Sequence, residues 1–265
     1  MTIEQIIVLA VVQGVTEFLP ISSSGHLILV PQLMHWQDQG QVVDVMTHLG
    51  TLAAIIIYFW RDVLRLIQGA LQLVKGQVTD DGRLAIYIVL ATIPAIAFGV
   101  FLKKLGYTEL ERNVAIVAWN TIIYALLMLV ADMVGAQNRT LANMTLGSAL
   151  LIGLAQALAL IPGTSRSGVT ITAGRFLGFD RPDCARFSFL LGIPAIAGAG
   201  ILTIVDVLRS GETITKDAIY CAGLTFFAGL AAIAFLMALL KRVSLLPFVL
   251  YRMVLGGFLL VLLYG

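Results

Sequence analysis

The stretch Gln13 to His26, QGVTEFLPISSSGH, decides how this chain is read. It sets a carboxylate, a proline, three successive hydroxyls, a glycine and a histidine inside sequence that is otherwise almost wholly apolar. Residues 3 to 19 form a helix-length apolar stretch that ends at Pro20, and residues 26 to 36 form a second, too short to span a bilayer. A short helix, a Ser/Gly turn and another short helix describe a re-entrant hairpin, which enters the membrane and leaves on the same side. Irregular backbone at that depth is tolerated only where it is buried in protein or lines a wet cavity, so the break itself points to a site.

The setting is that of a membrane protein. Of 265 residues, 59% are hydrophobic and only 12% charged, with a mean hydropathy of +0.96, whereas an ordinary soluble domain is about a quarter charged. Segments 84 to 102, 114 to 133, 185 to 208, 217 to 240 and 245 to 264 are each long enough to cross a hydrocarbon core, which takes roughly 20 helical residues. Residues 42 to 60 add a further span. The segment 62 to 83 is amphipathic and then polar, ending in TDDGR, and reads as an interfacial helix plus loop. Charged residues 103 to 113 and the polar GAQNRT after 133 read as further loops.

Net charge is +2, and the basic residues sit mostly in short connections: Arg61, Arg65, Lys75 and Arg83; Lys103, Lys104 and Arg112; Lys241 and Arg242. That distribution suits anchoring at lipid headgroups and argues against a nucleic-acid partner, which calls for charge gathered on one soluble face. The first apolar segment lacks the basic flank and small-residue cleavage site of a signal peptide, so it is expected to stay in the mature protein. Cys184 and Cys221 are far apart without a CxxC pattern and read as small buried hydrophobes.

A second unusual stretch has the same grammar. The apolar LGSALLIGLAQALALI runs into PGTSRSG, Pro162 to Gly168, and a short apolar segment then ends at Gly178. A shift of 143 residues places Gln13 on Gln156, Ser22 on Ser165, Ser24 on Ser167 and Gly25 on Gly168, while Pro20 and Pro162 miss by one. IPAIA at 93 to 97 and at 193 to 197 gives an incompatible shift of 100, but apolar strings of small residues repeat easily and the polar match carries more weight. Paired broken helices in duplicated halves are a transporter-like architecture with the site at the repeat interface. The fold expected is therefore an all-α polytopic membrane protein, one domain over 1 to 265. Its inverted repeats cover about 1 to 133 and about 145 to 265, and its two re-entrant hairpins meet at the site.

Several side chains there can carry chemistry. An ionised Glu17 inside the membrane costs about 2.5 to 3.5 kcal/mol on insertion scales and must pair, face water or bind a cation. Gln13, one turn earlier, shares its helix face and can point at the same ligand or metal. Ser22, Ser23, Ser24 and Gly25 follow the break, where hydroxyls and freed N–H groups at a helix start suit phosphate oxygens. His26 stands three residues after Ser23, so one turn of helix could pair imidazole with hydroxyl as base and nucleophile. In the matching loop Arg166 lies among Thr164, Ser165 and Ser167, a setting for a bidentate phosphate clamp. Acid, nucleophile, base and arginine together suit phosphoryl transfer. Arg175, Arg181 and Arg186 read as interfacial, Asp132 and Asp206 as wetted span ends, and Arg252 as the partner of an unidentified acid. Asp44 and His48, one turn apart, are candidates to extend the site.

QGVTEFLPISSSGH and PGTSRSG in this order, with LGTLAA after the first, FSFLLGIP after the second and PFVLYR near the end, resemble the bacitracin-resistance type of undecaprenyl pyrophosphate phosphatase. The likeness runs over essentially the whole chain. It implies hydrolysis of undecaprenyl pyrophosphate to undecaprenyl phosphate and inorganic phosphate, recycling the carrier lipid for peptidoglycan. It further implies a bacterial plasma membrane, a site opening toward the periplasm or outer side, a divalent cation (Mg2+ or Ca2+), and bacitracin resistance on overproduction. Glu17, Ser23, His26 and Arg166 match the family's catalytic positions. The family's first motif is E/Q-xxx-E, and with Gln13 as the amide, Glu17 is its only carboxylate here. In the resulting scheme Ser23 attacks, His26 is the general base, and Glu17 orients His26 or binds metal. In a competing scheme His26 is itself the nucleophile or activates water. Rival readings are a lipid flippase or other transporter, and a small-ion channel with Glu17 and His48 on a proton path. A homodimer is the assembly to test.

Overall fold

The computed structural model describes residues 1–37, 39–106, 113–210 and 213–264. Among the described residues eleven α-helices run in order: α1 (Ile3–Thr16), α2 (Ser23–Leu33), α3 (Gln41–Tyr58), α4 (Trp60–Val74), α5 (Asp80–Lys104), α6 (Val114–Val134), α7 (Leu146–Leu158), α8 (Arg166–Phe176), α9 (Arg181–Ser210), α10 (Lys216–Leu240) and α11 (Leu246–Tyr264). Six of them, α3, α5, α6, α9, α10 and α11, are long and apolar enough to cross a membrane. The molecule is an all-α polytopic membrane protein.

Helix ends follow local chemistry. Thr2 caps α1 through a box in which its hydroxyl accepts from the Gln5 amide while the Gln5 side chain accepts from the Thr2 amide. TDDGR is a helix start rather than a loop: the Thr79 hydroxyl accepts from the Gly82 amide, and Asp80 and Asp81 fill the first turn of α5, where the helix dipole favours carboxylates. The amphipathic segment is accordingly shorter than its sequence pattern suggested, ending with α4 at Val74.

Packing interleaves the two halves of the chain. α1 lies on α10 and α7 on α5, α3 packs on α10 and α9, and α6 pairs with α11. Close approach depends on glycine. A Cβ on Gly14 of α1 would stand 2.6 Å from Ala228 Cβ on α10, and one on Gly153 of α7 would stand 2.1 Å from the Ala91 carbonyl oxygen on α5. Between these pairs lies a core built on Phe18, Phe59, Phe187 and Phe189. Phe18 and Phe189 meet edge to face at 5.5 Å between centroids, fixing the residue beside Glu17 against α9.

Ion pairs mark two ends of the bundle. At one, the Met1 amino group meets Asp217 at the start of α10, and Lys103 meets Asp206 near the end of α9. At the other, Asp62 of α4 pairs with Arg186 of α9, and the Arg139 guanidinium reaches Ser148 at the start of α7. Asp132 is buried there, not wetted: it accepts from Arg175 and Arg181 and from the Leu245 amide. Arg175 is 0% exposed rather than interfacial, since Asp132 and three backbone carbonyls take up its donors.

Candidate active site

The first helix ends because Pro20 lacks an amide hydrogen and the chain must turn before Ser23. The Glu17 amide still donates to the Gln13 carbonyl at 3.0 Å, which makes Glu17 the C-cap of α1 and leaves its side chain at the break. Ser22 then takes φ of +76° and α2 begins at Ser23. In the second break Gly163 takes φ of +85° and Ser165 φ of +70°. The Ser165 hydroxyl accepts from the Gly168 amide at 3.2 Å and caps α8. Ser22 and Ser165 thus share both the 143-residue relation and a left-handed backbone that costs a non-glycine residue about 1 to 3 kcal/mol.

Residues of the two breaks touch. Ser167 Oγ donates to the Leu19 carbonyl at 3.2 Å. Arg252 of α11, 0% exposed, donates to carbonyls of both: Pro20 at 3.4 Å, Thr164 at 3.1 Å and Gly163 at 2.9 Å, with Thr121 of α6 at 3.1 Å. Among the described residues no acid pairs with it. Its five fixed donors are met by carbonyl dipoles instead, which makes it the clasp between the breaks.

Glu17 is the hub. It is 7% exposed, and its Oε2 accepts from Gln13 Nε2 at 3.2 Å and from Ser23 Oγ at 3.0 Å. Its Oε1 accepts from Arg166 Nη2 at 3.3 Å. His48 Nε2 lies 3.8 Å from Oε2 and comes from α3, so the His48 weighed from sequence does border the cluster. Arg166 is steadied by a 3.0 Å bond from Nη1 to the Ser188 carbonyl of α9, while its Nε finds no partner among the described residues.

His26 is turned elsewhere. Its Nδ1–H donates to the Ser22 carbonyl at 2.7 Å, and its Nε2 therefore accepts from Tyr251 Oη at 2.5 Å. The rings are stacked, with 5.6 Å between centroids. The hydroxyl that meets this imidazole is thus that of a tyrosine 225 residues away, not that of Ser23. One helical turn between Ser23 and His26 allowed the contact, but both ring nitrogens are engaged on the other side.

The remaining expected phosphate ligands divide. Ser165 and Ser167 hydroxyls lie 3.3 Å apart and serve the break itself. Thr164 and Ser22 are fully buried, and a Cβ on Gly25 would meet Val117 Cγ1 of α6 at 3.4 Å, an ordinary contact. The Ser24 side chain lies outside the described part of the structure. Tyr251, Ser188 and Arg252 were not picked out by sequence as parts of this cluster. PFVLYR was visible, but nothing local tells which of its residues turns inward.

Among the described residues no three of His, Cys, Asp and Glu group as a metal site. A hard cation that leans on substrate phosphates needs less, about one or two carboxylates. Glu17 meets that need, and Gln13 Oε1, buried without a hydrogen-bond partner among the described residues, is a free oxygen beside it. The donor set fits such an ion.

A polytopic membrane protein with a buried carboxylate beside a half-buried hydroxyl and guanidinium, at the contact of two broken helices, is the class defined so far. The chain belongs to the BacA family: the family model described as bacitracin resistance protein BacA matches residues 6–258. It is 46% identical over 267 residues, all of both chains, to a protein of Jannaschia sp. (strain CCS1) named undecaprenyl-diphosphatase. Proteins of the same name from Erythrobacter litoralis (strain HTCC2594), 44% identical over 97% of this chain and 98% of the other, and Alteromonas mediterranea, 46% identical over 98% of each, are similar along their whole lengths.

Proposed function

We propose that this chain hydrolyses undecaprenyl pyrophosphate to undecaprenyl phosphate and inorganic phosphate in the bacterial inner membrane, returning the carrier lipid to peptidoglycan synthesis and raising resistance to bacitracin. The observation that carries the reading is the hydrogen bond from Ser23 Oγ to Glu17 Oε2 beside Arg166, in a chain of this family. Ser23 attacks the terminal phosphorus, and its proton passes to Glu17, the acceptor it already faces. The Ser23 O–P bond forms as the anhydride P–O bond breaks, and the proton moves on to the bridging oxygen that leaves with undecaprenyl phosphate. Water then attacks the phosphoserine, Glu17 takes a water proton, and Ser23 recovers it as phosphate departs. Arg166 neutralises the terminal phosphoryl oxygens, its unpaired Nε supplying a further donor. Gln13 Oε1 and Glu17 would hold a divalent cation, which supplies additional positive charge to the pyrophosphate.

In this scheme His26 is a positioning residue. Bonded to the Ser22 carbonyl and to Tyr251, it fixes the left-handed turn that presents Ser23.

The frame fits an inverted repeat over about 1 to 133 and about 145 to 265, with two re-entrant hairpins. α2 and α8 have bounds 143 residues apart at both ends, and α5 and α10 are both 25 residues long. α1 starts at the Asp217 end and α7 at the Arg139 end, so the hairpins enter from opposite ends. Arg61, Arg65, Lys75, Arg83, Arg139, Lys241 and Arg242 lie toward the α7 end, against Lys103, Lys104, Arg209 and Lys216 at the other, and this excess by the positive-inside rule favours a cytoplasmic α7 end. The α1–α2 hairpin then enters from the periplasm, and with it the site.

Phosphate release from undecaprenyl pyrophosphate by the detergent-solubilised protein, with and without chelator, tests the reading. Release that stops with chelator and returns on adding Mg2+ or Ca2+ supports it. A protein that moves lipid across a bilayer but frees no phosphate would be the transporter instead.

A further inference from the structure

Helix α4 carries three parallel rows of side chains at helical spacing. Asp62, Leu66, Gly69 and Leu73 form the row that packs on the protein: Asp62 pairs with Arg186 of α9, and a Cβ on Gly69 would stand 2.4 Å from the Gly82 amide nitrogen of α5. Trp60, Leu64, Ile67, Leu71 and Val74 form a second row, which is apolar and 46% to 87% exposed. Arg61, Arg65, Gln68 and Gln72 form the third, between the other two.

These rows run across the end of the bundle. α5 and α9 are parallel and are joined near their far ends by Lys103 and Asp206. Gly82 precedes Lys103 by 21 residues, and Arg186 precedes Asp206 by 20. At about 1.5 Å of rise per residue, the two contacts of α4 stand at nearly one height. The helix therefore lies along the level at which α5 and α9 begin rather than crossing it.

A helix at that level turns its apolar row to hydrocarbon and its basic row to the headgroup layer. Arg61 sits at the seam, its guanidinium 5.2 Å from the centre of the Trp60 ring. The acid on this helix is committed to Arg186, and among the described residues neither Arg61 nor Arg65 forms an ion pair. Two exposed guanidiniums one turn apart, with no carboxylate and with apolar surface alongside, match a phosphodiester that carries acyl chains. A zwitterionic headgroup brings its own cation and gains less there. A soluble anion leaves the apolar row uncovered.

We infer that α4 docks an anionic phospholipid of the surrounding leaflet, its phosphate held by Arg61 and Arg65 and its acyl chains lying on Leu64, Ile67 and Leu71. The surface is separate from Glu17, Ser23 and Arg166 and does not depend on the phosphatase reading. Through Asp62 and Arg186 the docked helix is tied to α9, so the lipid braces the fold, and a ligand of the folded state raises the temperature of unfolding.

The protein in neutral detergent is titrated with phosphatidylglycerol while thermal unfolding is followed, for the wild type and for Arg61→Gln/Arg65→Gln. Phosphatidylcholine and inorganic phosphate are the controls. Phosphatidylglycerol should raise the unfolding temperature of the wild type, and the concentration for half the effect should be about tenfold or more higher in the double variant, each arginine contributing about fivefold. An equal rise with phosphatidylcholine or inorganic phosphate, no rise with phosphatidylglycerol, or an unchanged midpoint in the variant would overturn the inference. A second measurement needs no variant: phosphatidylglycerol with a photoreactive acyl chain is cross-linked to the wild type in phosphatidylcholine nanodiscs and the adducts are mapped. Adducts on Leu64, Ile67 or Leu71 that fall when unlabelled phosphatidylglycerol replaces part of the phosphatidylcholine support the site. Labelling of α4 that this replacement leaves unchanged, or no labelling of α4, contradicts it.

Discussion

The two breaks have one backbone plan and opposite contents. Each follows a helix that ends one turn early, passes a serine with positive φ, and starts a helix of 11 residues. The 143-residue shift puts Leu160 where Glu17 stands, Arg166 where Ser23 stands and Val169 where His26 stands. The first break supplies a hydroxyl aimed at a carboxylate. In the second, hydroxyls fasten backbone, Ser165 to Gly168 and Ser167 to Leu19, and one guanidinium reaches across to Glu17. Two turns of like backbone thus hold a cluster that neither contains alone, and their polar residues can differ because the backbone is held separately, by Arg252.

Substitutions can separate the chemical break from the fastening break. Glu17→Ala removes the proton acceptor and the partner of Arg166, and phosphate release should fall by about 10²- to 10⁴-fold, the range for a general base. Arg166→Lys keeps the charge but loses the planar fork, and a fall of about 10²-fold in kcat is expected, measured at saturating substrate. Arg252→Lys should act on both breaks alike. A point charge cannot serve several carbonyls in fixed directions, so thermal unfolding in detergent should show a loss of about 3 kcal/mol, with a smaller fall in kcat than for Arg166→Lys. Tyr251→Phe removes the partner of His26 Nε2 and should cost less than about tenfold. A pH profile moved by Tyr251→Phe, with an effect as large as that of Glu17→Ala, would make His26 the base and reverse the roles of the two residues.

Much of this was legible in the chain. QGVTEFLPISSSGH and PGTSRSG stand out because polar residues are expensive in a membrane, and their matched spacing pairs them. The six apolar spans follow from length alone. Direction was harder to read. His26 was within reach of Ser23 by helical spacing, yet rotation about its own bonds and Tyr251, far along the chain, turn it away. Arg252 resembled one half of an ion pair, because a sequence shows charges but not clustered carbonyl dipoles. Asp132 sat near a span end and looked wet, until the partners that bury it, Arg175 and Arg181, arrived from another helix. TDDGR was polar enough for a loop and is instead the cap and first turn of α5.

The central claim is that the hydroxyl held by Glu17 is the nucleophile. Phosphate release by Ser23→Ala tests it most directly, with His26→Ala assayed beside it and the folding of both checked by thermal unfolding. The account predicts that Ser23→Ala, folded like the wild type, loses about 10³-fold or more, while His26→Ala retains more activity than Ser23→Ala. Near-full activity in Ser23→Ala would contradict it and leave attack to water or to His26.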